Sequence, residues 1–228
     1  MEDPEASARE HVARVIADLS RPEAYPHLVD EEIALEETHA SLAFLAGDFV
    51  YKVKKPVNFG FLDFSTLEQR RFFCHEELRL NRRLTRGVYL DVVPIVESGG
   101  RLQLFGEGPV LEYAVKMRRL PEDRVLGHLI ETGQAEDRMF VMLADRLASF
   151  YPDAATGPEI DRWGTPDAIW FNIKENLDQT ASYVGTVIAP IQHRLIDEVS
   201  RAYLAGEAEL FQSRIARGWI RAGHGGLH

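Results

Sequence analysis

The texture of this chain changes once, near Leu120, and that change restricts the folds open to it. Before it, apolar runs of strand length surround one long helical pattern; after it, every periodic segment has helical spacing. Strands gathered in one half and helices in the other argue for α+β rather than a βαβ repeat. The expectation is two lobes: an N-terminal helix and connector over 1–27, a strand-rich lobe over 28–120, and helices over 121–228. Val12, Val15, Ile16 and Leu19 recur at helical spacing and place the opening helix over Pro4 to Leu19. Ile33 to Glu37, Ser41 to Ala46 and Phe49 to Lys54 read as strands, the last two joined by a Gly47-Asp48 turn. Ser65 and Glu68 fit a capping box opening a helix that runs to about Leu84. Gly99-Gly100 marks a hairpin between Val92–Glu97 and Arg101–Phe105, and Leu111 to Met117 is a further strand. The helices beyond are expected over Asp123–Thr132, Glu136–Phe150, Asp167–Leu177 and Pro190–Arg217, the last broken near Gly206.

Charge narrows the function classes. Net charge is -10 over 228 residues, which argues against a general nucleic-acid binder. Yet Val50 to Leu120 holds thirteen Lys and Arg against eight Asp and Glu, so a basic segment sits in an acidic protein. That suits a local anionic ligand such as a nucleotide phosphate. Cys74 is the single cysteine, so no intrachain disulfide forms and a reducing compartment fits. The N-terminus has no apolar leader core, and no apolar run reaches the roughly 20 residues of a membrane helix. The expectation is a cytoplasmic protein with no membrane partner. No G-x-x-x-x-G-K-[ST] string occurs, which excludes a P-loop in these residues.

Four stretches carry candidate chemistry. Strand alternation puts Val50, Lys52 and Lys54 on one face, where a lysine can neutralise phosphate. The following helix offers Glu76 or Glu77 to hold it; Glu77 shares an apolar stripe with Phe73, Leu80 and Leu84, whereas Glu76 lies nearer its edge. Thr38, His39 and Ser41 form the turn just upstream, where a phosphate-covering loop would lie. Met117 to Leu120 ends the last strand as a hinge whose backbone could meet an adenine edge. The final stretch, Ile220 to His228, reads IRAGHGGLH. His224 and His228 are four apart, but the glycines between them oppose a helix, and two histidines make an incomplete metal site.

Three strings carry a resemblance: ETHASLAFLAGDFVYKVKKPVNFGFLDFSTLEQRRFFCHEELRLNRRL from Glu37, EYAVKMRRLPEDRVL from Glu112, and GWIRAGHGGLH from Gly218. Together they resemble a bacterial family of aminoglycoside-phosphotransferase-like kinases. The resemblance implies a protein-kinase-like fold with an incomplete helical C-lobe, ATP and magnesium as cofactors, and an unknown small-molecule hydroxyl as phosphate acceptor. It implies Lys52, or Lys54, at the phosphate-contacting lysine and Glu77, or Glu76, at the helix glutamate. It makes Thr38 to Ser41 the nucleotide loop and Met117 to Leu120 the hinge. His224 and Gly225 match the start of the catalytic loop, which in the family reads R-D-G-H-G-D-L-H. Here Ala222 and Gly226 replace both acidic residues, and Tyr151 ends a stretch that members often end in histidine. The resemblance places the asparagine and aspartate that hold magnesium in this fold after this loop, so no residue of this sequence is assigned those roles. The loop carboxylate accepts the hydroxyl proton in phosphoryl transfer, so Gly226 implies a chain without useful turnover of its own. A non-catalytic nucleotide-binding or interaction module is the other expectation.

Overall fold

The computed structural model describes residues 4–224 of the chain. It is α+β, and it divides into two compact units, Met1–Asp137 and Arg138–His228. Leu120, the expected boundary, follows the last strand; the turn and short helix after it still belong to the first unit. Among the described residues, no helix is long and apolar enough to cross a membrane.

The first unit holds α1 (Pro4–Leu19), β1 (Ala34–Glu37), β2 (Ser41–Ala46), β3 (Phe49–Lys54), α2 (Leu67–Asn81), β4 (Tyr89–Ser98), β5 (Arg101–Gln103), β6 (Val110–Arg118) and α3 (Leu126–Glu131). The strands form one sheet in the order β1-β2-β3-β6-β4-β5. Every pairing is antiparallel. Gly99 and Gly100 both take positive φ, the conformation a two-residue hairpin between β4 and β5 requires. One face of the sheet packs against α1: Val15 and Leu19 meet Phe44, Tyr51, Ile95 and Leu102 in a single core. The Tyr25 hydroxyl donates to the Leu19 carbonyl at 2.7 Å and pins the connector beneath the helix.

Two boundaries of α2 depart from the sequence reading. Its capping box is Thr66 with Gln69, not Ser65 with Glu68: the Gln69 amide donates to Thr66 Oγ1 and the Thr66 amide to Gln69 Oε1, each at 3.2 Å. The Ser65 amide is already bonded to Asp63 Oδ1 at 2.9 Å, a local turn that keeps Ser65 outside the helix. The helix also ends at Asn81 rather than Leu84. Just beyond it, the Arg82 guanidinium donates to the carbonyls of Tyr89 and Leu90 and ties the turn to β4.

A buried charge cluster joins α1, α2 and β6. Glu112 is fully buried, and Arg70 nearly so. Arg70 Nε donates to Glu112 Oε2 at 2.9 Å, and Nη2 lies 2.6 Å from Oε1. His11 Nε2 sits 2.7 Å from the same Oε1. Arg70 Nη1 donates to the carbonyls of Phe64 and Ser65 at 2.9 and 3.1 Å, so each nitrogen of the fork has a partner. The last β3–β6 pair is Val53 with Ala114, and Glu112 lies beyond it.

The second unit is helical: α4 (Asp137–Asp153) begins at the division, and α5 (Pro158–Asp161), α6 (Pro166–Thr180), α7 (Pro190–Gly206) and α8 (Ala208–Ala216) follow. Thr165 caps α6 by accepting from the Ala168 amide at 3.2 Å. Arg201 of α7 lies 3.9 Å over the Trp170 ring of α6. The expected break at Gly206 separates α7 from α8.

Removing Glu112 strands a buried guanidinium. Glu112→Ala is expected to cost about 3–5 kcal/mol in urea unfolding, the usual penalty for an orphaned buried charge. Glu112→Gln keeps an acceptor for Arg70 and is expected to lose less.

Candidate functional site

The site grows from the alternation of β3. Tyr51 and Val53 point into the core beneath α1, each 1% exposed. Lys52 and Lys54 therefore leave the other face of the sheet, toward α2. There they meet one carboxylate. Lys52 Nζ donates to Glu77 Oε1 at 2.9 Å, and Lys54 Nζ donates to Glu77 Oε2 at 2.7 Å. Both lysines, not one, pair with the helix carboxylate. The choice between the glutamates resolves to Glu77: Glu76 turns outward and forms a surface pair with Arg79 at 2.7 Å.

The two lysines are not equivalent. The Lys54 side chain is 7% exposed and its ammonium lies 4.8 Å from the centre of the Phe64 ring. The Lys52 side chain is 34% exposed. Lys54 is thus enclosed, with a carboxylate and an aromatic face for company, while Lys52 keeps an open side. Burial pushes the Glu77 carboxyl up. The charges of Lys54 and then Lys52, with the hydrogen bonds from both, outweigh it and hold the group below its ordinary value. Two ammonium groups against one carboxylate leave a net positive charge at this face.

Neighbouring strands complete the wall. Cross-strand partners share a face. Ser41 opposes Lys54, Val115 opposes Lys52, and Met117 opposes Val50, so Ser41 and Met117 line the lysine face. Tyr89 of β4 pairs with Met117 and joins them. Its phenol is raised by burial and then by the negative charge of Glu77. Cys74 is a packed thiol; burial raises it to about 12, so it stays protonated.

The remaining expected residues lie as follows. Thr38 and Ser41 close their own turn: their hydroxyl oxygens are 2.8 Å apart, and the Ser41 amide donates to Thr38 Oγ1 at 3.0 Å. Lys55 Nζ donates to the Thr38 carbonyl at 2.6 Å. His39 is exposed at the tip. At the hinge, the amides of Arg118 and Arg119 donate to Val88 and Asp48 carbonyls, each at 2.8 Å. Those two amides are committed within the protein, so the expected contact of their N–H groups with an adenine edge is not available. Leu120 is 55% exposed. In the second unit, Ala222 donates to the Ala155 carbonyl at 2.9 Å and Arg221 to the Pro152 carbonyl at 2.7 Å, which anchors the run leading to His224. Gly225, Gly226 and His228 lie outside the described residues. No cluster of three or more His, Cys, Asp and Glu side chains that could hold a metal occurs among the described residues.

The sequence reading missed Phe64 beneath Lys54 and the cluster of Arg70, Glu112 and His11. The one signal for the latter was an acidic residue, Glu112, in the apolar first half of β6.

The chain is similar to an uncharacterized protein of Mycobacterium bovis and to uncharacterized proteins from two strains of Mycobacterium tuberculosis. In each case identity is 32% over 206 residues, covering 90% of this chain and 40% of the relative. The chain thus spans about two-fifths of the length of the curated relatives it matches. No family model matches it, and no solved structure does.

The lowered Glu77 carboxyl sets a sign for acid stability. A carboxylate held lower in the folded than in the unfolded state stabilises above the unfolded value, about pH 4.3, and that stability is lost as pH falls through the folded value. Thermal melts from pH 7 down to pH 2 are expected to show this loss, and Glu77→Gln is expected to flatten that part of the curve.

Proposed function

We propose that the first unit binds the phosphates of a nucleotide such as ATP on the Lys52 face, as the nucleotide-binding part of an aminoglycoside-phosphotransferase-like small-molecule kinase with a protein-kinase-like fold. The observation that carries this reading is the sharing of Glu77 by two lysines. One carboxylate balances only one of the two ammonium groups, and the excess positive charge is presented at the exposed side of Lys52. A phosphate oxygen supplies the missing negative charge. Lys52 is the contact on this reading, because its ammonium keeps an open side. Lys54 and Glu77 hold it in place. A strand lysine paired to a helix glutamate is a device kinases use for this purpose.

Bound ATP would supply the phosphoryl group. The chain's own residues would orient and neutralise it: Lys52 by charge, Ser41 and Met117 as walls of the same face. No residue is assigned to magnesium. Transfer needs a carboxylate to accept the hydroxyl proton, and Gly226 stands at that position of the resembling loop. Loss of a general base typically costs about 10²–10⁴-fold in rate. Binding without useful turnover is therefore the behaviour proposed for this polypeptide by itself.

Titration calorimetry with ATP is expected to give a micromolar dissociation constant. Lys52→Ala removes a charge-assisted contact of about 1.5–3 kcal/mol, so affinity should fall roughly 10- to 150-fold. Labelled-ATP assays on the wild-type chain should detect no robust transfer. Unchanged binding in Lys52→Ala would reject the phosphate contact, and efficient metal-dependent transfer would reject the inactive state.

A further inference from the structure

Between α1 and the start of α2 the first unit keeps a cleft of about 710 Å³. That volume is in the range of small-molecule sites. The cleft is separate from the lysine site: none of its walls is a residue of that site, and α1, which forms one side, covers the Tyr51 and Val53 face of the sheet rather than the Lys52 face. The opposite side is a small hairpin in the connection from β3 to α2. Asn58 and Asp63 bridge its two arms. The Phe59 amide donates to the Leu62 carbonyl and the Phe64 amide to the Val57 carbonyl, each at 2.8 Å. Held this way, Phe59 walls the cleft and stays 41% exposed, its ring stacked on that of Phe61 with centroids 6.1 Å apart. Pro56 and Val57 extend the same apolar wall. Backbone bonds thus fix a flat aromatic surface in the open, a contact for a ring that costs little ordering when it is used.

The charged walls of the cleft are all basic. Arg9, His11 and Arg70 line it and no carboxylate does, although the protein as a whole carries a net charge of -10. Glu112 lies behind this lining and is committed to Arg70 and His11. The Arg70 side chain is only 7% exposed. Its Nε and one N–H of Nη2 face Glu112, and its Nη1 donates to the Phe64 and Ser65 carbonyls. Nη2 bears a second N–H, which has no partner among the described residues. Buried donors are ordinarily satisfied, so this one points to an acceptor in the cleft that Arg70 walls. Arg9, exposed on α1, adds a second guanidinium to the same lining. Guanidinium groups match the planar geometry of a carboxylate.

We infer that the cleft between α1, the Asn58–Asp63 hairpin and the start of α2 binds a small organic acid with a planar apolar body. The body lies against Phe59, Pro56 and Val57, and the carboxylate takes the remaining N–H of Arg70 together with Arg9. The sign of the lining selects an anion over a neutral or cationic molecule. The aromatic wall selects a ring-bearing acid over a bare inorganic anion. This site is independent of nucleotide binding at Lys52 and stands or falls without it.

The test titrates 2-naphthoate into the full chain by calorimetry. Its uncharged counterpart 2-naphthylmethanol and inorganic phosphate, an anion without a ring, serve as comparisons. One-to-one, sub-millimolar binding of 2-naphthoate is expected, with each comparison compound weaker by at least about tenfold, the usual effect of losing a charge-assisted contact or a buried ring. Arg9→Ala should weaken 2-naphthoate about tenfold and leave 2-naphthylmethanol unchanged. Phe59→Ala should weaken both. Arg9 and Phe59 are exposed, so both variants should keep the wild-type melting temperature. Lys52→Ala should leave 2-naphthoate binding unchanged, whether or not the chain binds ATP. The proposal falls if 2-naphthoate does not bind at millimolar concentration, or if the alcohol or phosphate binds as well as the acid. It falls too if Arg9→Ala and Phe59→Ala leave the affinity intact, or if Lys52→Ala removes it, which would put the acid on the lysine face.

Discussion

One carboxylate facing two ammonium groups organises the first unit. Bringing Lys52, Lys54 and Glu77 together removes three charges from full hydration, and the arrangement keeps one more cation than anion. As a stability device this is a poor choice; an apolar trio of similar volume would serve as well or better. The gain lies in placement. Lys54, enclosed against Phe64, fixes one oxygen of Glu77, and the other oxygen holds Lys52 at an opening of the same wall. A flexible four-carbon side chain is thereby held at one position, which lowers the entropy lost when an anion binds.

Much of this arrangement is legible in the sequence. Two lysines separated by one residue on a strand must share a face, and Glu77 lies on the apolar stripe of the next helix, so their meeting follows from two periodicities. The strands β2 and β3 were readable to the residue, because a largely apolar run, Ser41–Ala46, and a β-branched and aromatic stretch with alternating lysines, Phe49–Lys54, flank a Gly-Asp turn. The start of α2 was misread for a local reason: Ser65 and Thr66 both offer a hydroxyl, and only the Asx turn at Asp63 decides between them.

The cluster of Arg70, Glu112 and His11 was beyond such reasoning. Its partners stand 42 and 101 residues apart in sequence. No periodicity links them; what brings them together is the packing of α1 and α2 against β6. The helical half shows the converse limit. Its amphipathic segments were readable as helices, but periodicity reports that an apolar face exists and not what covers it. On α7 the stripe that sequence would assign to a core, Ile191, Leu195, Val199 and Tyr203, is the exposed one.

The two charge clusters act jointly on α2. Arg70 and Glu77 are seven residues apart, close to two helical turns, so both project from one side of the helix toward the sheet. Arg70 holds the first turns of the helix to β6, and Glu77 holds its middle to β3. Turning the helix by one residue's angle, about 100°, would break both attachments together. A slide along its axis would lengthen both in the same sense. The helix is therefore held in rotation and in register by electrostatic contacts whose partners are themselves buried or half-buried, and the apolar residues between them need only fill space. This explains how a short helix with a mostly polar surface can place one carboxylate accurately enough to serve two lysines. It also means that α1, through His11 on Glu112, contributes to the lysine face without touching it.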